Sequence, residues 1–221
     1  MRVLLVMMML WSGPAQAYCR LALALALDVS SSVDEVEYAL QSEGLAQALE
    51  DPEVVDAFLQ VPGGTVALMV YEWSGRYQQD VVLQWHVISG RADLTAAVAK
   101  LRSKGRTYAE FPTSIGFALG FGAVQFRDAP QCDRQVIDIS GDGINNDGFT
   151  PELAIKEFDF SSTVVNGLVI GDEAGLESYY LSDVIHGPDA FVEVAEEFSD
   201  FRTAMKRKLI RELGVARLGM R

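Results

Sequence analysis

Short runs of apolar residues alternate along this chain with segments of helical periodicity, and this alternation constrains the fold most. The apolar runs have the length of buried strands and cover residues 20–27 (RLALALAL), 65–73, 135–140 and 163–170. Apolar residues spaced by three and four predict helices over residues 33–49, 92–103 and 113–126. Together they predict an α/β fold, a Rossmann-like doubly wound and mostly parallel sheet with helices on both faces.

The remaining segments complete this prediction. Residues 81–88 (VVLQWHVI) follow the strand at 65–73 after a gap too short for a helical crossover, so we expect an antiparallel edge strand. Residues 189–198 indicate a last short strand or a strand-to-helix junction, and residues 200–213 a closing amphipathic helix. With no internal repeat or long linker in the sequence, residues 18–221 are predicted to form a single domain.

The first 17 residues have the pattern of a secretory signal peptide. Arg2 precedes an apolar run from Val3 to Trp11, and Ala15-Gln16-Ala17 matches a cleavage site, so the mature chain is expected to begin at Tyr18. The apolar run is too short for a membrane span, which takes roughly 20 residues. We therefore expect an exported protein, periplasmic or extracellular, with no membrane span in the mature chain.

The charge and the scarce metal-binding residue types narrow the possible partners. The net charge of −13 repels nucleic acid, which we exclude as a partner. With two cysteines and two histidines in the chain, a cysteine-rich or histidine-based metal site is improbable, so any metal should be hard and bound by oxygen. In an oxidising compartment Cys19 and Cys132 are a candidate disulfide, with free buried cysteines as the alternative.

Two of the predicted strands are each followed directly by side chains that carry oxygen atoms. The first leads into Asp28, Ser30 and Ser32 in the spacing Asp-x-Ser-x-Ser, and the strand at 135–140 leads into Asp142 between two glycines. Ligands of open parallel sheets bind beyond the carboxyl ends of the strands. If these strands are neighbours, Asp28 and Asp142 face each other there, and a Cys19–Cys132 bridge requires the same adjacency. The alternative reading of these residues is helix capping.

Alternate side chains in a tight turn can converge on one point, and such oxygen ligands suit Mg²⁺, or Mn²⁺ as a substitute. Asp28-x-Ser30-x-Ser32, Thr113 in TSIGFAL and Asp142 in SGDG together resemble the metal-ion-dependent adhesion site of von Willebrand factor type A domains. The run ALALDVSSSVDEVEYALQ, with SGDGINNDG and VIHGPDAFV, also resembles a branch of uncharacterised bacterial exported proteins built on that domain. The resemblance implies Ser30, Ser32 and Thr113 as direct metal ligands, and Asp28 and Asp142 acting mostly through water.

The sequence departs from the family pattern at two places. Ser31 stands where the family most often has glycine, and Ser140-Gly141 replaces the usual threonine before the second Asp-Gly. The third direct ligand also stays open, because Thr107 and Ser114 lie close to Thr113 in the sequence.

The function that the resemblance implies is binding rather than catalysis. Neutral hydroxyl ligands leave the charge of a divalent ion only partly compensated, so an open coordination position would attract an Asp or Glu carboxylate from a partner protein. The alternative is a metal-assisted hydrolase that uses Asp28 and Asp142 with bound water. The sequence lacks a basic phosphate clamp and has few histidines, which disfavours the hydrolase.

Overall fold

A computed structural model describes residues 18–171 and 173–214, and it contains a six-stranded sheet in the order β3-β2-β1-β4-β5-β6. The strands are β1 Tyr18–Asp28, β2 Gly64–Trp73, β3 Gln79–Ile88, β4 Gln135–Gly141, β5 Thr163–Ile170 and β6 Val192–Ala195. Every neighbouring pair is parallel except β2 and β3. The predicted α/β fold with one antiparallel edge strand is therefore confirmed.

The helices cover both faces of this sheet. They are α1 Glu35–Glu50, α2 Pro52–Leu59, α3 Arg91–Ser103, α4 Ile115–Gln125, α5 Pro151–Glu157, α6 Leu176–Tyr179 and α7 Phe201–Leu213. Three of them, α2, α5 and α6, were not predicted. Of these, α2 and α5 begin with proline directly after a side chain that caps the helix, Asp51 and Thr150. The predicted helix at 113–126 begins only at Ile115, so Thr113 lies in the loop before it.

The run LALALAL in β1 lies between two hydrophobic cores, and its alternating leucines and alanines face opposite ones. Its leucines, Leu21 to Leu27, pack in the core beneath α1, α2, α3 and α7. Its alanines, Ala22 to Ala26, belong to the core beneath α4, α5 and α6. Because side chains alternate along a strand, this one sequence faces both layers and is buried throughout. The strand is the centre of the molecule despite its helix-forming composition.

The cysteines join the start of β1 to the segment just before β4. Cys19 and Cys132 form a disulfide with their Cα atoms 4.4 Å apart, which confirms the predicted pairing. Parallel neighbours start at the same edge, and β1 pairs directly with β4. The ends of both strands, Asp28 and Gly141, therefore lie side by side at the opposite edge of the sheet.

Residues 1–17, predicted to be a signal peptide, lie outside the described residues. In the described ranges, no helix combines the length and the apolar character needed to cross a bilayer.

Candidate functional site

The turn after β1 is folded by its own polar side chains. Asp28 Oδ1 accepts a hydrogen bond from the backbone N–H of Ser30 at 2.7 Å. The N–H of Val33 then donates to the carbonyl of Ser30, and Asp34 caps α1 in a reciprocal box with Glu37. Helix capping in this stretch thus belongs to Asp34, and Asp28, Ser30 and Ser32 remain at the edge of the sheet.

Thr113 is held by the loop that follows β4. Its backbone N–H donates to Asn146 Oδ1 at 3.0 Å, and its carbonyl accepts from the N–H of Asn146 at 2.9 Å. Ser114 donates from its hydroxyl to Asp147 Oδ2 at 3.0 Å, and Arg76 forms a two-pronged ion pair with Asp147. The loop containing Asp142 therefore also fixes the loop containing Thr113.

The side chains of the predicted site converge in one chain of hydrogen bonds. Thr113 Oγ1 lies 3.3 Å from Ser30 Oγ, which lies 3.1 Å from Ser32 Oγ. Ser32 Oγ in turn donates to Asp142 Oδ1 at 2.7 Å. Asp28 is tied to the backbone of Ser30, so all five residues come together.

The two alternatives to Thr113 have other partners. The hydroxyl of Thr107 donates to Asp80, and that of Ser114 donates to Asp147. In this arrangement Thr113 is the hydroxyl next to Ser30.

The two carboxylates of this cluster are electrostatically unsatisfied. Asp28 is fully buried, and its Oδ2 atom has no hydrogen-bond partner. Burial, followed by the nearby charge of Asp142, raises the pKa of Asp28 to about 7. Burial also raises the pKa of Asp142, although the hydrogen bond from Ser32 lowers it. Among the described residues, no Lys or Arg forms an ion pair with either carboxylate.

Arg106 is a basic residue that contacts the backbone of this turn. Its guanidinium donates to the carbonyls of Val29 and Ser30, both at 3.0 Å, and to that of Tyr108. Sequence reasoning missed this role, because nothing in the local pattern links Arg106 to a turn more than 70 residues away. Since it is engaged with backbone carbonyls, Arg106 orients the turn.

These residues fit a hard divalent cation. The cluster offers hydroxyl and carboxylate oxygens alone, and one buried carboxylate oxygen lacks a partner. Over residues 18–171 and 173–214, no group of three or more His, Cys, Asp or Glu side chains is arranged to hold a metal. A metal would therefore depend on the neutral hydroxyls beside the two carboxylates.

Sequence reasoning also missed Asn145, Asn146 and Asp147 in the loop after Asp142. Asn145 accepts from the N–H of Gly116, at the start of α4, at 3.1 Å. The run Asn-Asn-Asp-Gly is a turn signal, and Gly148 has a φ of +75° that favours glycine. That signal predicts a turn, whereas the contact with Thr113 depends on the tertiary fold.

A groove of about 420 Å³ adjoins Asp142. Its apolar walls include Leu40, Ile170 and Phe198, and its acidic lining includes Glu37, Glu173, Glu196 and Glu197. No basic side chain among the described residues lines it. A larger cavity of about 500 Å³ lies away from the cluster, between α7 and the first residues of β4 and β5.

Comparison with known proteins identifies a family and a fold. A family sequence model described as "Protein of unknown function (DUF1194)" matches residues 18–217. No curated protein sequence matches the chain.

Several solved structures have the same fold. Proximal thread matrix protein 1 from the mussel byssus, in its second crystal form, aligns with a TM-score of 0.65 at 15% identity, over 90% of this chain and 49% of that one. The same mussel protein with a zinc-occupied MIDAS motif gives 0.63 and 16%, over 90% and 47%. A von Willebrand factor type A protein from Catenulispora acidiphila gives 0.64 and 16%, over 88% and 43%.

The chain thus spans about half the length of the solved structures it matches. At this level of identity the likeness shows the fold, which is that of von Willebrand factor type A domains.

Proposed function

The chain belongs to the DUF1194 family of proteins of unknown function and has the von Willebrand factor type A fold, and from this premise we propose an exported, metal-dependent protein-binding domain. The observation that carries the proposal is the convergence of Asp28, Ser30, Ser32, Thr113 and Asp142 at one point. They come from the end of β1 with the turn after it, from the loop before α4 and from the loop after β4. The side chains of four of them form one chain of hydrogen bonds, and the fifth, Asp28, accepts from the backbone N–H of Ser30.

In this proposal the hydroxyls of Ser30, Ser32 and Thr113 would hold Mg²⁺, or Mn²⁺ in its place, directly. Asp28 and Asp142 would act on the ion mostly through water. Bound there, the ion supplies a Lewis-acidic position for an incoming oxygen ligand. The neighbouring glutamates of the groove, Glu173, Glu196 and Glu197, add negative potential that attracts a divalent cation.

The surroundings of the cluster favour a protein partner. The three most exposed large apolar side chains among the described residues are Tyr77 (80%), Val36 (68%) and Ile144 (53%). Val36 lies in the first turn of α1, Ile144 two residues after Asp142, and Tyr77 next to Arg76, which binds the Asp147 loop. Exposed apolar residues grouped at one edge are typical of an interaction surface. The partner would present an Asp or Glu carboxylate to the metal.

The proposed location is periplasmic or extracellular. The Cys19–Cys132 disulfide supports it, because such bonds form and persist in oxidising compartments. The signal-peptide pattern of residues 1–17 is the second support.

The metal assignment is tested with Asp28→Ala combined with Ser30→Ala. Calorimetric titration of the parent with Mg²⁺ or Mn²⁺ should show binding, and the double variant should show none while keeping a cooperative unfolding transition. Ser31→Ala is the matched control, because Ser31 lies in the same turn but outside the hydroxyl chain. Equal affinity in the double variant and the parent would overturn the site assignment.

The binding role is tested by affinity capture from an extract of the exported compartment, with Mg²⁺ and again with a chelator. A partner retained only with Mg²⁺, and lost with Asp142→Ala, supports the proposal. Phosphoester, ester and peptide substrates are assayed in parallel. Reproducible turnover that disappears with Asp142→Ala would replace the binding role by hydrolysis.

A further inference from the structure

Polar atoms without hydrogen-bond partners gather behind the candidate metal site. Asp28 Oδ2, Trp73 Nε1 and the hydroxyl oxygen of Tyr180 belong to fully buried side chains, and none of these atoms has a partner among the described residues. Unpaired buried polar groups are uncommon because each loses its hydration without compensation. Here the Trp73 and Tyr180 side chains are donors and the Asp28 carboxylate is an acceptor. Three such unpaired atoms close together require an explanation.

Gly141 is the residue at which these side chains meet. A Cβ atom added there would lie 2.6 Å from the Tyr180 hydroxyl oxygen, 2.9 Å from Asp28 Oδ2 and 3.4 Å from the Trp73 ring. The space of the missing side chain is thus bordered by the phenol of Tyr180 and the carboxylate of Asp28.

The fold makes a specific place for the Tyr180 ring. A Cβ at Gly167 in β5 would lie 2.9 Å from its Cδ1 atom, so glycines in two adjacent strands leave room for one aromatic side chain. Tyr180 also begins the π-helical turn Tyr180–Val184, and such turns are frequent at functional sites.

We propose that Tyr180, from the segment after β5, is a positioning residue for the metal ion and acts through Asp28. With an ion bound, the Tyr180 phenol would donate a hydrogen bond to Asp28 Oδ2 and so hold the orientation of that carboxylate. The inference rests on the proposed metal-binding function.

The test is Tyr180→Phe, which removes one oxygen atom and keeps the ring. Without metal, the unfolding midpoint should not fall below the parent's value and should rise, because the hydroxyl has no partner among the described residues and its removal ends an uncompensated loss of hydration. The affinity for Mg²⁺, measured by calorimetry, should fall by roughly 10- to 100-fold, as is typical when a group that orients a metal ligand is removed.

Tyr71→Phe is the matched control. Tyr71 is also fully buried, but its hydroxyl donates to the carbonyl of Ala118 at 2.9 Å. This variant should lower the unfolding midpoint and leave the Mg²⁺ affinity unchanged, which is the opposite pattern.

Parent-like affinity in Tyr180→Phe overturns the role of Tyr180 while leaving the proposed function intact. A parent that binds neither Mg²⁺ nor Mn²⁺ overturns the proposed function and this inference with it.

Discussion

The molecule contains two acidic pairs in different surroundings. The edge pair, Asp28 and Asp142, lies at the carboxyl ends of β1 and β4. The interior pair, Asp138 and Glu212, lies between the middle of β4 and α7, and both residues are almost completely buried. Strand β4 leads to both pairs, since Asp138 is within it and Asp142 directly follows it.

The interior pair has its own cation. Lys208 Nζ lies 3.1 Å from Asp138 Oδ1 and 3.3 Å from Glu212 Oε1, and Asn166 donates to Glu212 at 2.9 Å. Burial, then the charge of Glu212, raises the pKa of Asp138 well above its usual range, and Lys208 opposes this shift. The side chains of Lys208, Asp138 and Glu212 are all fully buried, so this cluster is removed from water and compensates its charges internally.

The edge pair has neutral hydroxyls where the interior pair has an ammonium group. Its positive charge would have to come from outside the chain, at a place that adjoins a groove and exposed apolar side chains. The comparison teaches that acidity alone does not identify a binding site. What distinguishes the edge pair is the missing internal cation next to oxygen ligands.

Among these predictions, the largest change in the free energy of unfolding is expected when Lys208, the cation of the interior pair, is removed. Lys208→Met should lower the free energy of unfolding at pH 7 by about 3–5 kcal/mol, because it leaves the buried acidic pair without its counter-charge. Chemical denaturation measures this loss. Lys206→Met, in the same helix but in ion pairs at the surface, should cost much less. Similar losses in the two variants would show that the interior pair does not need its cation.

Adding a cation to the edge pair should cause the next largest change in the free energy of unfolding. Mg²⁺ at 100 times its dissociation constant should raise the free energy of unfolding by about 2.7 kcal/mol, because the ion binds only the folded chain. Denaturation with and without Mg²⁺ measures this increment. Lys208→Met should retain it, and Asp142→Ala should lose it. An increment that persists in Asp142→Ala would place the ion elsewhere.

The interior pair should also make stability depend on pH. Because the folded-state pKa of Asp138 is raised, its stabilising proton is fully present below the ordinary value of 3.8 and is lost as the pH rises toward the folded value. One such proton gives a slope of up to about 1.4 kcal/mol per pH unit. Asp138→Asn should flatten this slope in denaturation curves taken from pH 4 upward. An unchanged slope would assign the dependence to other groups.

The smallest effect, a change in Mg²⁺ affinity, is expected from substitutions in the loop that holds Thr113. Asn146→Ala removes the side-chain acceptor for the Thr113 N–H and should weaken Mg²⁺ binding about tenfold in calorimetry. Asn146→Asp keeps an acceptor oxygen there and should retain most of the affinity. If both variants bind like the parent, Thr113 is positioned without Asn146.

The parts of this molecule that follow from local patterns were predictable from the sequence. Apolar runs gave the strands and the antiparallel edge, and the Asp-x-Ser-x-Ser spacing gave Asp28, Ser30 and Ser32 a common turn. Even Cys19 and Cys132 could be paired, because parallel strands start at one edge. The predicted start of α4 at Thr113 was wrong by a few positions. Where a helix begins depends on capping contacts, which hydrophobic periodicity does not reveal.

The supporting contacts could not be predicted, because they join residues far apart in the chain. Arg106 reaches the carbonyl of Ser30 across 76 positions, and Asn146 reaches Thr113 across 33. The unpaired hydroxyl of Tyr180 becomes evident only when Gly141 and Gly167 are seen to border it. Hydrophobic periodicity carries no information about such partners, since each depends on how loops from different strands meet.

The disulfide also acts on the chain before it folds. Cys19 and Cys132 are 113 positions apart, and Asp28, Ser30, Ser32 and Thr113 all lie within the loop that they close. A cross-link of this span lowers the entropy of the unfolded chain, which in the chain-entropy description corresponds to about 4–5 kcal/mol of stability. Most of the candidate ligands are thus carried on a segment whose freedom is already restricted when the native sheet is absent.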